Sequence, residues 1–411
     1  MEESRVTMEL SEVIEAYFDC RRHKRNTANQ LQFEFDYEAQ CISLWNDIEA
    51  RRYEPGRSIA FVVDHPVKRE IFAADFRDRV VHHIIARRLY PYFAQQFHID
   101  SYSTQKGKGT LYGTIRVAEH LRQCSEEYTS DCYIMKLDIK GFFMSIDKER
   151  LFKCAMDFTR RYFSGLELEE LEYLLRKTIF NRPERNCIRK VPPSRWIGLP
   201  LNKSLFGTDG TRGLPIGNLT SQLLALLYLD PLDHLITEEW GVTHYGRYVD
   251  DMVLIHPSKV HLLQVKERIK NWLTEQGLTL HPKKVYLQHY TKGVCFVGSV
   301  IKPGRIYLSR RSYGRLVGHI HYFNWLLGSS DELGMEDLEQ VRASMNSYLG
   351  MMRHFNAVRL CRRAIFRLDP GWYKYFHIYV CGRKCKVELH KGLTGRASLI
   401  SQLEQPDIPM L

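Results

Sequence analysis

THYGRYVDDMVLI (243–255) reads as strand, tight turn and strand, with two adjacent carboxylates, Asp250 and Asp251, at the turn. Tyr248 and Val249 lead into the pair, and Met252-Val253-Leu254-Ile255 follows at once, so the acids stand between two apolar strands. Like charges repel there, and loss of solvation adds to the cost. A bound divalent cation would remove that penalty. The plain alternative is an exposed turn, where Asp-Asp pairs are common.

A third acid favours the cation. CYIMKLDIKGFF (132–143) is a β-rich apolar run broken by Asp138, which a glycine and two phenylalanines follow. Alone, Asp138 would read as a strand-end cap. Together with the pair it completes a recognisable inventory. Two-metal phosphoryl transfer needs carboxylates from different strands to hold two ions about 4 Å apart.

The surroundings fit a polyanionic partner. The chain has 411 residues with 59 Lys and Arg against 48 Asp and Glu, a formal net charge of +11. Such a surplus points to nucleic acid or an anionic membrane surface. No run of about 18 apolar residues occurs, so no membrane-spanning helix is expected. The start, MEESRVTMEL, has no apolar core, so no secretory signal is expected either. Nucleic acid is therefore the favoured partner, and 23 Tyr and 20 Phe offer faces for stacking on bases, though most must also pack a core. Ten scattered cysteines fit a reduced, cytoplasmic setting. Cys381 and Cys385, with His377 and His390 nearby, lack a second ligand pair of standard spacing, so structural thiols are expected there.

Residues 1–55 read as polar helices, and 59–100 as a strand-like stretch followed by a helix with Val80, Val81, Ile84, Ile85 and Leu89 on one face. SYSTQKGKGT (101–110) is a basic loop, Asp147 caps a helix, and 183–213 is a long loop or small insert. A helix starts near Asn218, which Pro231 kinks or ends. A Ser258-capped helix stops at Gly277, and KVYLQ and VCFVGSVI follow as strands. This order describes an α+β lobe built on an antiparallel sheet. From about residue 306 the pattern turns helical and basic, with Leu338, Val341, Met345 and Leu349 as one stripe.

Several short motifs in order now resemble the reverse transcriptases. Tyr248-Val249-Asp250-Asp251 resembles their hallmark turn and LDIKGFF (137–143) their first aspartate motif. RGLPIGNLTSQ (212–222) sits at the template and nucleotide loop, GLTLHPKKV (277–285) resembles the lysine motif, and CFVG (295–298) the primer grip. The agreement covers roughly residues 60–305. The resemblance implies a right-hand polymerase fold: N-terminal helices and fingers over 1–130, a palm over 131–305 with an insert about 165–212, and a helical thumb with a basic tail over 306–411.

Residue by residue, the resemblance implies that Asp138, Asp250 and Asp251 hold two Mg²⁺ ions, with Mn²⁺ able to substitute and the Ile139 carbonyl as a further ligand. Phe143 stands where the family puts an aromatic gate against a ribose 2′-hydroxyl; core packing is the alternative. Lys284, or less favourably its neighbour Lys283, matches the lysine that approaches the leaving pyrophosphate. Lys68 and Arg69, with Ile216 and Gly217, fall at the nucleotide. Lys106, Lys108, Asn218, Ser221, Gln222, Tyr248, Phe296, Gly298, Arg310 and Arg311 are candidates for template and primer contacts; for the basic ones the alternative is a solvated face.

Most of the family has Gln-Gly and then Ser-Pro in the nucleotide loop, whereas this chain has Ile216-Gly217 and Ser221-Gln222. That variant, and SYLGMMRHFNAVRL (347–360), resemble the reverse transcriptases of diversity-generating retroelements. The resemblance implies a cytoplasmic enzyme, prokaryotic or phage-encoded, that makes adenine-mutagenised cDNA from a template RNA, primer and dNTPs, with a small helical accessory protein. Alternatives are a retron or antiphage-defence reverse transcriptase, and a non-catalytic RNA-binding protein on a polymerase fold. The residues after CFVG show neither RNase H carboxylate strands nor a Cys/His-rich endonuclease, so those activities are expected elsewhere.

Overall fold

The computed structural model describes residues 8–22, 27–64, 67–329, 333–355, 357–381 and 384–390. The chain forms two units, residues 1–113 with 132–288, and 114–131 with 289–411.

The first unit opens with α1 (Leu10–Arg21), α2 (Ala28–Glu34) and α3 (Tyr37–Glu49). Strands β1 (Ser58–Val63) and β2 (Arg69–Ala73) pair antiparallel and lead into α4 (Phe76–Gln96). Asp75 caps α4 by accepting the Arg77 N–H, and Val80, Val81, Ile84, Ile85 and Leu89 are buried, as their spacing requires. Helix α5 (Thr110–Cys124) follows, its residues from Thr114 on belonging to the second unit, and the first unit resumes with β3 (Tyr133–Asp138).

After β3 the chain turns sharply at Gly141 (φ +58), where a Cβ would meet the Asn202 carbonyl at 2.8 Å. Only glycine fits that combination of φ and contact. Helices α6 (Phe142–Ser145), α7 (Lys148–Thr159) and α8 (Gly165–Ile179) come next, with Asp147 capping α7 through the Arg150 N–H. The stretch 183–213 is irregular but not featureless. It holds β4 (Cys187–Arg189), which pairs parallel with β1, and three short 3₁₀ turns. Buried Glu70 on β2 ties the stretch down, accepting from Trp196 Nε1, Ser204 Oγ and the Leu205 N–H, each at 2.7 Å.

Helix α9 (Leu219–His234) runs through Pro231 and ends in a π-helical turn, Leu235–Glu239. Pro231 cannot donate to the Leu227 carbonyl; the Cys154 thiol approaches that oxygen instead, at 3.9 Å. Then come β5 (His244–Tyr248), β6 (Asp251–His256), α10 (Lys259–Glu275) and β7 (Tyr286–His289). The sheet order is β5-β6-β3-β7, and both β5 and β3 pair antiparallel with β6. Met135, Leu137, Met252 and Leu254 face the main core with the apolar faces of α4, α9 and α10.

The second unit contains β8 (Val294–Phe296), β9 (Ser299–Lys302) and β10 (Arg305–Leu308) as an antiparallel sheet, then α11 (Arg310–Ser329), α12 (Met335–Arg353) and α13 (Val358–Ile365). Leu338, Val341, Met345 and Leu349 are buried along α12. The tail is not wholly helical: β11 (Phe376–Cys381) and β12 (Lys384–Leu389) pair antiparallel. Asn346 of α12 fixes that hairpin by bonding both the N–H and the carbonyl of Val387, at 2.9 and 2.7 Å. The Cys381 side chain lies outside the described residues; the His377 and His390 ring nitrogens lie 2.8 Å apart. Among the described residues no helix is long and apolar enough to cross a membrane.

Candidate active site

Register brings the three acids together. Asp138 on β3 is the direct partner of Asp251 on β6, and Lys136 is the partner of Val253. Side chains alternate along a strand, so Lys136, Asp138 and Asp251 share one face, while Leu137 and Met252 face the core behind them. Asp250 occupies the two-residue turn between β5 and β6, next to Val249. Val249 has φ +58, uncommon and strained for a β-branched residue.

The cost foreseen for such a cluster is present. Burial, then the charges of Asp138 and Asp251, push the Asp250 carboxyl up from its usual 3.8 to about 6. Burial also raises Asp251, which Lys136 partly offsets. Lys136 Nζ donates to Asp251 Oδ2 at 3.2 Å. Lys284 Nζ donates to both Asp138 oxygens, at 3.0 and 2.9 Å. Two ammonium groups therefore stand on two of the three carboxylates, and among the described residues no three His, Cys, Asp or Glu side chains form a ready-made metal cage. The donors themselves are hard oxygen ligands on adjacent strands, the chemistry a small divalent cation requires.

The loop 277–285 reaches this place by pairing with the end of β3. The His281 N–H donates to the Asp138 carbonyl at 2.7 Å, and the Lys140 N–H to the Thr279 carbonyl at 2.8 Å. Ile139 lies between these bonds, opposite Leu280. In such a non-bonded pair the residue's own N–H and C=O point the other way, so the Ile139 carbonyl turns toward the β6 side and the Asp250 turn. The same pairing sets the Lys284 ammonium on Asp138, although its side chain is still 57% exposed; the neighbouring Lys283 is exposed as well.

A family model described as reverse transcriptase (RNA-dependent DNA polymerase) matches residues 68–301, more than half of the 411 residues. The chain belongs to the reverse transcriptase family. Its fold is accordingly the right-hand polymerase fold, mixed helix and sheet. No curated protein matches in sequence. Among solved structures it is similar to telomerase from Candida albicans in complex with a TWJ fragment of telomeric RNA (13% identity, 84% of this chain and 61% of that chain, TM-score 0.46). It is also similar to apo telomerase from Candida Tropicalis (13% identity, 80% and 64%, TM-score 0.49). The chain spans about three fifths of the length of those telomerase chains. The family assignment rests on the sequence-model match.

In this reverse transcriptase domain, Phe143 and Ile216 are partly buried against one apolar cluster, formed by Ala60, Phe72, Met144 and Leu205. The Ile216 carbonyl accepts the Phe72 N–H at 3.0 Å, and Gly217 (φ +124) passes against Ile71 and Phe72. Arg69 is exposed; Lys68 Nζ donates to the Ile197 carbonyl at 2.7 Å. The Lys106 side chain is exposed, whereas Lys108 Nζ is spent on the Ile99 and Ser101 carbonyls, at 2.8 and 3.2 Å. Gln222 is exposed and bonds Thr104 at 3.2 Å. Ser221 and Asn218 are buried, and Asn218 Oδ1 accepts the Ala74 N–H. Tyr248 pairs across the hairpin with Asp251.

In the second unit Phe296 is fully buried, and Val297 and Gly298 (φ +41 and +89) form the β8–β9 turn. Arg310 and Arg311 are exposed in the first turn of α11. That unit also holds a cavity of about 720 Å³ whose lining includes Arg122, Lys302, Arg305, Tyr307, Arg353 and Phe355.

Three site-building residues escaped the sequence reading of the reverse transcriptase. Lys136 had a signal, a cation alternating with apolar residues in YIMKLD. Gly246 had a weaker one: a Cβ there would meet the Tyr102 Oη at 2.5 Å, so only glycine leaves room for the buried Tyr102 ring against β5. Arg247 is fully buried behind the hairpin, bonded to Asp233.

Proposed function

We propose that the chain is an RNA-templated DNA polymerase, and that it serves a diversity-generating retroelement. The observation that carries the polymerase reading is the pairing of Asp138 with Asp251, with Asp250 at the adjoining turn. Asp138, Asp250 and Asp251, helped by the Ile139 carbonyl, hold a pair of Mg²⁺ ions, for which Mn²⁺ can substitute. When bound, such ions lower the pKa of a primer 3′-hydroxyl and neutralise the triphosphate. Lys284, which bonds Asp138 here, would be free to offer its ammonium to the leaving pyrophosphate, as charge or proton donor, once metal took its place on the carboxylate.

Phe143 and Ile216 line the nucleotide end of the site. The Phe143 ring excludes a ribose 2′-hydroxyl. Ile216 puts a hydrocarbon where a glutamine would hydrogen-bond near the nascent pair. Loss of a preorganised polar contact weakens discrimination between right and wrong pairs, which supports error-prone copying; the resemblance to diversity-generating retroelement enzymes puts those errors at template adenine. Exposed Arg69 meets the incoming nucleotide's phosphates, and Lys106, Arg310 and Arg311, also exposed, meet phosphates of the template RNA, primer and cDNA. A small helical accessory protein completes the assembly in the cytoplasm.

The test is primer extension by purified protein on a defined RNA template with Mg²⁺, followed by sequencing of the cDNA. Extension with errors gathered at template adenines is the expected result. Extension with evenly spread errors would remove the retroelement assignment, and no extension would remove the polymerase.

A further inference from the structure

We propose that the buried Arg247–Asp233 pair is a positioning clamp that holds the Val249-Asp250 turn in metal-binding shape. This rests on the reading of Asp250 and Asp251 as metal-binding carboxylates. Arg247 lies on the opposite face of the sheet from Asp251, its strand neighbour being Met252, so it touches no reacting atom.

Both members of the pair are 0% exposed. Arg247 Nε donates to Asp233 Oδ1 at 2.7 Å and Nη2 to Oδ2 at 2.5 Å, a two-pronged match that fixes the guanidinium plane. Tyr245 Oη also donates to Asp233 Oδ1, at 2.7 Å. The backbone of Arg247 is held as well: its N–H donates to the Asp100 carbonyl and its carbonyl accepts the Tyr102 N–H.

The remaining prong points at the site. Arg247 Nη1 donates to the Val249 carbonyl at 3.0 Å. Val249 is the residue that needs holding. Two-residue hairpin turns with positive φ normally use Gly, Asn or Asp, and here a β-branched residue sits at φ +58. A turn strained in this way persists only when its surroundings over-determine it. The guanidinium supplies that constraint from behind, one residue before Asp250. Stability alone would be a weak reason for the pair, because a buried ion pair is often replaceable by apolar residues at no net loss. A lysine at 247 would neutralise Asp233, but one ammonium cannot present a planar fork to Asp233 and a third donor to Val249 together.

The experiment compares wild type, Arg247→Lys, Asp233→Asn, and each variant combined with Val249→Gly. Direct Mn²⁺ binding is followed by electron paramagnetic resonance, alongside the Mg²⁺ dependence of primer extension and the affinity for template–primer. Arg247→Lys should weaken Mn²⁺ binding and raise the half-maximal Mg²⁺ about tenfold, as loss of a ligand's outer support does, with template–primer affinity unchanged. Asp233→Asn should move the same way. Val249→Gly should restore both values, because glycine takes positive φ without a clamp. Wild-type metal affinity in Arg247→Lys, or loss without rescue by Val249→Gly, overturns the clamp. Failure of both single variants to fold, with or without Val249→Gly, also overturns it, because the pair would then be holding only the core. Wild-type protein that binds no Mn²⁺ would instead defeat the carboxylate reading, and the clamp with it.

Discussion

Asp138 lies directly across the sheet from Asp251, and each has a lysine ammonium on its carboxylate, Lys284 and Lys136 respectively. Four charged groups on one sheet face, with Asp250 added at the turn, form an arrangement that costs stability and has value only if something binds there.

Lys284 is paired with Asp138; under the proposed function it would compete with metal there and aid the leaving group, so its removal should have two opposed effects. Lys284→Ala should lower the single-turnover rate by about 10²-fold, the usual scale for a lost general acid. The Mg²⁺ requirement should not rise. Lys283→Ala, an exposed neighbour, should change the rate by no more than about twofold. Equal losses in the two variants would show that position 284 has no special role.

The acid cluster should be visible as a stability cost with a defined sign. Asp250 is raised to about 6 in the fold, so the folded chain holds its proton more tightly than the unfolded one. Metal-free stability must then fall as pH rises from about 4 to about 6 and stay reduced above. Asp250→Asn removes that cost. In the absence of metal it should be more stable than wild type at pH 8 by on the order of 1–3 kcal/mol, and level with it below about pH 4. Urea melts with EDTA at both pH values check this. A less stable Asp250→Asn at pH 8 would mean the carboxylate is not under strain.

Much of this was legible in the sequence, for physical reasons that differ by residue. Adjacent acids inside an apolar run are costly, so Asp250 and Asp251 stood out, and Asp138 with them. The α12 stripe and the Asp147 and Ser258 caps follow local rules and appear as read. Arg247 was hidden because one charged residue in a strand reads as exposed unless its partner is known, and Asp233 lies in the preceding helix. Asn218 and Ser221 are polar yet buried, and Asn218 is satisfied by a tertiary bond from the Ala74 N–H that no local pattern reveals. The β11–β12 hairpin had an alternating signal, Phe376-x-Ile378-x-Val380, that the surrounding Arg and Lys residues obscured.

Ile216 sets the fidelity test. Ile216→Gln should lower misincorporation opposite template adenine by about tenfold, the scale of one polar contact in a discriminating site. Errors opposite the other bases should move little. Sequencing of cDNA from a fixed template reads both. An unchanged adenine error rate would place the determinant elsewhere and leave Ile216 as packing against Phe72.

Phe143 shares that apolar cluster, so its gate and packing roles need separating. Phe143→Val should admit ribonucleotides, lowering dNTP-over-rNTP discrimination at least about tenfold while the melting temperature falls modestly. Steady-state incorporation of dATP against ATP measures it. Intact discrimination in a folded Phe143→Val protein would reduce Phe143 to core.

The most direct test of the central claim is primer extension on an RNA template by Asp250→Ala beside wild type, with template RNA binding measured on the same preparations. Extension should disappear from the variant while RNA affinity stays within about twofold, because phosphate contacts come from other residues. Undiminished extension by Asp250→Ala would contradict the account.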